Sequence, residues 1–224
     1  MNSPVLRCLA FTTALLGATF LRAETPVSVP TSAQAVSGRL AAGDVAPDFA
    51  VVGPKGETIH LADFKGRVVV VDVSATWCGP CQAAMPNNDR IFRKYADQRV
   101  VLLGVTTDDT REAYDGWVQR NSGKYAFTMS FDPAGREGWK ESTFNTQYHV
   151  SGFPTMFVIG RDGKITETIS GGGPGEDYRL EYALARAGAK VDLAAIPPEP
   201  KKDPNEPKSI PMMMKTPAMK VALP

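Results

Sequence analysis

The fold of this chain is decided by residues 68–81, which read VVVVDVSATWCGPC. Valine fills five of the first six positions. Such a run is too continuous for a half-exposed strand, so we expect a central strand that is buried on both faces. Cys78 and Cys81 follow where a helix is expected to begin, because Pro80 suits a first helical turn, where its missing N–H costs nothing. The stretch therefore predicts a buried strand that passes directly into a helix at a pair of cysteines.

The segments around this stretch alternate between strands and helices. Further strands are predicted at residues 100–105, 155–159 and 165–169, the last two joined by a tight turn into a hairpin. Helices are predicted at residues 80–98, 110–121 and 176–187, with Thr110 as a candidate N-cap. This order predicts an α/β domain built on a mixed sheet.

The two cysteines are placed for redox chemistry. Unpaired N–H groups and the positive end of the dipole at a helix N-terminus favour a thiolate, and cysteines so placed have pKa values of about 3.5–7.5. We therefore expect Cys78 to attack a disulfide and Cys81 to resolve the mixed disulfide that forms. A zinc site would need two more ligands, haem attachment would need histidine where Gln82 stands, and a disulfide closing so short a loop would stabilise little.

Composition narrows the class of protein further. Apolar residues make up 43 % of the 224 positions and charged residues 22 %, as in a soluble globular domain. The formal charge is +1, from 25 basic and 24 acidic side chains, so nucleic acid is not an expected partner. Three cysteines are too few for a disulfide-stapled scaffold or for a four-cysteine zinc site.

Shifts in composition divide the chain into four predicted segments. Two are rich in Pro, Ser, Thr or Met and lack an apolar period, which is typical of linkers and tails. The predicted segments are a signal peptide (1–23), a linker (24–42), a folded α/β domain (43–189) and a Pro- and Met-rich disordered tail (190–224).

The first 23 residues predict export. Arg7 supplies a positive charge, and a mostly apolar stretch follows it, as in a cleaved secretory signal. Cleavage would remove Cys8 and leave Cys78 and Cys81 to form a disulfide with each other in an oxidising compartment. We expect a protein of the periplasm or cell envelope; the alternative is an uncleaved signal that anchors the chain to the membrane.

Five short motifs, in order, resemble the exported thiol–disulfide oxidoreductases of the TlpA/ResA type. These proteins have a thioredoxin fold and share their N-terminal pattern with the peroxiredoxin superfamily. The resemblance implies a central mixed sheet flanked by helices, an N-terminal β-hairpin extension and a central insert between Cys81 and Pro154. It also implies that the protein needs no cofactor and no metal. The motifs are GDVAPDF (43–49), LADFKGR (61–67), ATWCGPC (75–81), MP (85–86) and GFPT (152–155).

The resemblance also assigns roles to individual residues. Cys78 is then the nucleophile and Cys81 the resolving thiol. Pro154 matches the cis-proline that faces the disulfide, and Phe153 before it would offer backbone groups to an extended substrate segment. Trp77 would flank the cysteines and shape the surface on which a substrate docks.

Asp72 is a candidate proton-transfer residue. It lies six positions before Cys78, where thioredoxin has a buried acid, and its neighbours are valines. A carboxyl group in so apolar a strand should have a raised pKa, so that it could take a proton from Cys81 through a water molecule and return it. The alternative is a residue at the end of the strand that reaches solvent.

Three functions remain open from the sequence. The first is an exported reductase that acts on protein disulfides and receives electrons from an unidentified upstream donor. The second is a peroxidase, given the pattern shared with the peroxiredoxin superfamily. The third is a copper-binding or metallochaperone module that uses the cysteine pair, His149 and the methionines of the tail, since thioether ligands suit Cu(I). Those methionines are Met212, Met213, Met214 and Met219.

Overall fold

The computed structural model describes residues 40–171 and 176–199 of the chain. The predicted signal peptide, most of the predicted linker and the methionines of the predicted tail lie outside these ranges. Within them, no helix has the length and apolar character needed to cross a membrane.

A mixed sheet forms the centre of the described domain. β3 is parallel to β4 on one side and antiparallel to β6 on the other, which places the strand that carries Asp72 in the middle of the sheet. The strand order is β2-β1-β5-β4-β3-β6-β7. The strands are β1 (Ala50–Val52), β2 (Thr58–His60), β3 (Val68–Ser74), β4 (Val100–Thr106), β5 (Thr128–Phe131), β6 (Thr155–Ile159) and β7 (Ile165–Ser170).

The valines of β3 explain its central position. Val69, Val71 and Val73 contribute to the apolar core on one face of the sheet. Val68 and Val70 contribute to a second core on the other face. A strand covered on both faces cannot use polar side chains to reach water, which is why the run is almost continuously apolar.

Helices flank the sheet, as the sequence predicts. Thr110 caps α2, with its hydroxyl oxygen accepting the Ala113 N–H at 3.2 Å. The predicted active-site helix is α1, which begins one residue after Cys78 and continues through Pro86. The helices are α1 (Gly79–Tyr95), α2 (Arg111–Arg120), the single turn α3 (Thr143–Thr146) and α4 (Glu176–Arg186).

The N-terminal hairpin and the central insert meet in the sheet. The hairpin is formed by β1 and β2, and the insert contributes β5. β5 runs parallel to β4 and antiparallel to β1, with Val52 opposite Phe131. The insert therefore lies between the thioredoxin-like strands and the hairpin, and the segment after it leads back toward the cysteines.

A buried carboxylate, Asp132, fixes the segment that follows β5. Its Oδ2 accepts the hydroxyl protons of Thr107, at 2.7 Å, and Ser142, at 2.5 Å, while its Oδ1 accepts the Ala134 N–H at 3.1 Å. Because these partners come from the end of β4 and from both ends of the loop, residues 133–142 are held against the edge of the sheet that carries the cysteines.

Both predicted boundaries of the folded domain need extension. Leu40, which falls in the predicted linker, is buried in the apolar core. Residues 190–199, which fall in the predicted tail, contact the domain: the Tyr182 hydroxyl donates to the Pro197 carbonyl, and Arg186 pairs with Glu199. Residues on both sides of the predicted domain therefore belong to its fold. Composition did not reveal this, because one buried leucine and a few polar contacts do not change the overall composition of a segment.

Candidate active site

The cysteine pair lies at the junction of β3 and α1. Cys78 is the N-cap of α1, and its Sγ accepts the Cys81 N–H at 3.2 Å. The two sulfur atoms form a disulfide, with the Cα atoms 5.3 Å apart. Both cysteines are buried, with Cys78 5 % exposed and Cys81 2 %. The geometry suits a reversible disulfide at the N-terminus of a helix.

The first turn of α1 sets the electrostatics around Cys78. It contains no acidic residue, so the positive end of the helix dipole is not offset within the helix. Pro80 lies in this turn and has no N–H to offer to the sulfur. The helix therefore presents its positive end to Cys78 Sγ, but with one amide donor fewer than another residue at position 80 would provide.

Asp72 is buried beneath the helix and does not reach solvent. It is 4 % exposed, its Oδ2 accepts a hydrogen bond from Asn88 Nδ2 at 3.0 Å, and its Oδ1 has no partner among the described residues. Burial raises the pKa of its carboxyl from 3.8 to about 6, and the Asn88 hydrogen bond offsets part of this rise. The carboxyl can therefore hold or release a proton close to neutral pH.

One face of α1 carries both Cys81 and the residue that binds Asp72. Cys81, Met85 and Asn88 are buried residues of α1 at positions i, i+4 and i+7 along one face. Asp72 contacts the Asn88 end of this face, and Cys81 lies at its other end. Cys81 and the partner of the buried acid thus lie on the same side of the helix, against the sheet.

Aromatic side chains surround the disulfide. Trp77 is 43 % exposed, and its ring meets that of Phe153 edge-on at 5.7 Å. Phe153 packs against Cys78 and Cys81, and the peptide bond between Phe153 and Pro154 is cis. The structure therefore brings together the predicted substrate-binding residues beside the predicted redox pair.

Trp139 is an aromatic neighbour that the sequence analysis missed. It lies in the loop after β5, and its ring meets that of Phe153 edge-on, with 5.8 Å between the ring centres. Fourteen residues separate the two in the chain, and no periodic pattern links them. Only the fold brings this loop to the active site.

A second missed feature is the polar run Thr106-Thr107-Asp108-Asp109 at the end of β4. Asp109 is fully buried, and its Oδ2 accepts both the N–H and the hydroxyl proton of Thr76, at 2.7 and 2.6 Å. The Asp108 carbonyl accepts the Trp77 Nε1–H at 3.0 Å. Polar residues after a buried parallel strand are themselves a signal of a site, because ligands bind at the carboxyl ends of such strands.

The predicted copper site is only partly within the described structure. Within the described ranges, 40–171 and 176–199, no group of three or more His, Cys, Asp or Glu side chains could hold a metal ion. His149 lies in a left-handed turn, with φ 52°. The methionines proposed as further ligands fall outside the described residues.

Comparisons with known proteins agree with this site. A model of the AhpC/TSA family matches residues 42–168. The chain is 33 % identical over 129 residues to a thiol-disulfide oxidoreductase ResA of Bacillus thuringiensis subsp. konkukian, which covers 58 % of this chain and 69 % of that protein.

Two solved structures extend the similarity to the fold. One is a thiol:disulfide interchange protein DsbE from Chlorobium tepidum, with a TM-score of 0.57 and 33 % identity over 66 % of this chain and 99 % of that one. The other is an exposed lipoprotein thioredoxin from Streptococcus pneumoniae, with a TM-score of 0.51 and 26 % identity over 62 % of this chain and 99 % of that one.

Proposed function

This chain belongs to the AhpC/TSA family, and we propose that it reduces protein disulfides outside the cytoplasm. It is a thiol–disulfide oxidoreductase of the ResA/TlpA-like kind that works by dithiol exchange through Cys78 and Cys81. The direction of exchange, the proton acceptor and the compartment are the parts that we propose here.

The proposed reaction starts from the dithiol form of the protein. The Cys78 thiolate attacks a substrate disulfide, forms a mixed disulfide and releases the first substrate sulfur as a thiolate, which takes up a proton. The Cys81 thiolate then attacks Cys78 Sγ and releases the second substrate sulfur, which is protonated in turn. Two electrons pass to the substrate, and the Cys78–Cys81 disulfide that remains is reduced again by an upstream dithiol donor.

Asp72 is the proposed proton acceptor for Cys81. Its buried carboxyl accepts a hydrogen bond from Asn88, which lies on the same face of α1 as Cys81, and its pKa of about 6 lets it act as a base at neutral pH. Its unpartnered Oδ1 is free to bind a bridging water molecule. The proton that Cys81 loses then returns to the leaving substrate thiolate.

The presence of proline at position 80 supports the proposal that the protein reduces its substrates. Thiol–disulfide oxidoreductases that oxidise their substrates have a strongly stabilised reduced form, because their attacking cysteine is strongly stabilised as a thiolate. At Cys78 the hydrogen bond that the structure gives comes from the Cys81 N–H, and Pro80 contributes none. A Cys78 thiolate with few hydrogen-bond donors is stabilised less, so the reduced protein passes its electrons to the substrate more readily.

Trp77, Phe153 and Pro154 form the proposed docking surface. Trp77 is an exposed aromatic ring beside the redox pair, and the cis peptide before Pro154 presents the backbone of Phe153 next to it. An extended substrate segment can pair with that backbone as a short added strand. Protein disulfides in unfolded or flexible segments fit such a surface.

Export is supported by the first 23 residues and by cysteine usage. The leader-like sequence precedes a domain with two cysteines, and cleavage of the leader would leave these as the only cysteines among residues 24–224. One of the similar proteins is itself described as an exposed lipoprotein. We propose the periplasm or cell envelope as the location.

The reduction potential of the Cys78–Cys81 pair tests the direction of exchange. We expect a value near that of thioredoxin, about −270 mV, and reduction of insulin disulfides when dithiothreitol supplies electrons. Equilibration with glutathione buffers, followed by mass spectrometry after thiol alkylation, measures the potential. A value near about −120 mV, as in strong oxidants, would show that the protein oxidises its substrates instead.

A further inference from the structure

We propose that Asp109 and Arg136 form a clamp that holds the residues before Cys78 in their attacking position. This Asp109–Arg136 clamp matters most in the dithiol form, after the disulfide that otherwise fixes the loop has opened. The inference rests on dithiol exchange through Cys78 and makes Arg136, on the loop after β5, a positioning residue for that reaction.

Asp109 is the centre of the clamp. Its Oδ2 accepts two hydrogen bonds from Thr76, and its Oδ1 accepts one from the Thr110 N–H at 2.9 Å and one from Arg136 Nη2 at 3.2 Å. A buried carboxylate with four donors is fully satisfied. It connects three parts of the chain: the loop before Cys78, the start of α2 and the insert.

Arg136 reaches both residues that hold this loop. Its Nη2 pairs with Asp109, which binds Thr76, and its Nε approaches the Asp108 carbonyl at 3.4 Å. That same carbonyl accepts the Trp77 indole N–H at 3.0 Å. A single guanidinium therefore braces the partners of two successive residues, Thr76 and Trp77, immediately before the nucleophile.

The state of the disulfide decides how much the clamp contributes. In the oxidised protein a covalent bond connects Cys78 to Cys81 and limits movement of the loop. In the dithiol form that bond is absent, and the remaining restraints are noncovalent: the cap of α1 and the hydrogen bonds of Thr76 and Trp77. The form that attacks substrate is thus the form that depends on Asp109 and Arg136.

Arg136→Gln tests the clamp, because this half-exposed side chain can be shortened without opening the core. In the reduced protein we expect the Thr76 amide to exchange with solvent about five- to tenfold faster, with a smaller change in the oxidised protein. We expect kcat/KM for insulin reduction to fall by a similar factor. Arg136→Lys retains the charge but not the planar guanidinium, so its exchange rate and its kcat/KM should lie between those of wild type and Arg136→Gln.

Arg93→Gln is the matched control. Arg93 is also a half-exposed arginine paired with a largely buried aspartate, Asp89, which accepts a backbone N–H from Ala126. That pair lies three turns along α1 from Cys78, so Arg93→Gln should leave Thr76 exchange and insulin reduction unchanged. The proposal is overturned if Arg136→Gln matches this control in either measurement, or if it speeds Thr76 exchange equally in both redox forms.

Failure of the proposed function would look different. A protein that does not reduce insulin in its wild-type form contradicts the proposed direction of exchange. The redox dependence of Thr76 exchange then still tests the clamp, since it needs no substrate.

Discussion

Replacing Cys78 with serine is expected to reduce insulin-disulfide turnover to the rate of dithiothreitol alone. A serine oxygen cannot form the mixed disulfide, and Cys81, only 2 % exposed at the second position of the pair, is poorly placed to attack in its stead. The fold should survive, because the lost disulfide spans a sequence separation of only three and such a short loop adds little stability. Turbidity of precipitating insulin chains measures the rate.

Cys8→Ser is the control for this substitution. Cys8 is the one cysteine of the chain outside the redox pair and lies in the predicted signal peptide, so its replacement in the full-length chain, with residues 1–23 retained, should leave turnover unchanged. Loss of activity in Cys8→Ser, with activity retained in Cys78→Ser, would move the redox centre away from the β3–α1 junction.

Asp72→Asn is expected to change the pH dependence of stability. The Asp72 pKa rises from 3.8 to about 6 on folding, so its burial carries no charge penalty well below pH 3.8, where the carboxyl is protonated in both states. As pH rises from about 4 to 6 the unfolded chain loses this proton while the folded chain keeps it, so above pH 6 wild type should have lost up to about 3 kcal/mol of unfolding free energy. The asparagine variant lacks this loss.

Urea unfolding of the oxidised protein at pH 4 and pH 8 measures the difference. From pH 4 to pH 8 the unfolding free energy of wild type should fall relative to that of Asp72→Asn. The two proteins share all their other titrating groups, so the difference between them reports on Asp72. Identical changes would mean that Asp72 is not buried as a charged group at pH 8.

Asp72→Asn should also slow the step in which Cys81 releases the substrate. An amide cannot take the Cys81 proton, so we expect release to slow by about ten- to a hundredfold at pH 7. The deficit should shrink near pH 9, since an ordinary cysteine ionises at about 8.5 without a base. Rapid-quench measurement of the mixed disulfide separates this step from attack by Cys78, and an unchanged release rate at pH 7 removes Asp72 from the mechanism.

The sequence predicted the parts of the fold that depend on local pattern. The valine run predicted β3 at the centre of the sheet because only burial on both faces explains it. Asp72 could be placed because its neighbours in the run are valines, and Thr110 because it precedes a helical pattern. The cysteine pair could be located because a helix cap and Pro80 are local signals.

The parts that the sequence did not predict depend on contacts made across the fold. β5 has only four residues, and its position between β4 and β1 is set by pairing rather than by its own pattern. The neighbours of the redox pair from the insert, Trp139 and Arg136, reach it only because β5 and Asp132 place their loop there. Tertiary contacts of this kind leave no periodic trace in a single sequence.

Trapping of the mixed disulfide tests the central claim most directly. Cys81→Ser, reduced and then mixed with an excess of a disulfide-bonded peptide, cannot resolve the intermediate. We predict a covalent adduct on Cys78, seen by mass spectrometry as a gain of one peptide chain and lost on adding dithiothreitol. An adduct that forms equally well in Cys78→Ser/Cys81→Ser, or no adduct in Cys81→Ser, would contradict the assignment of Cys78 as the nucleophile.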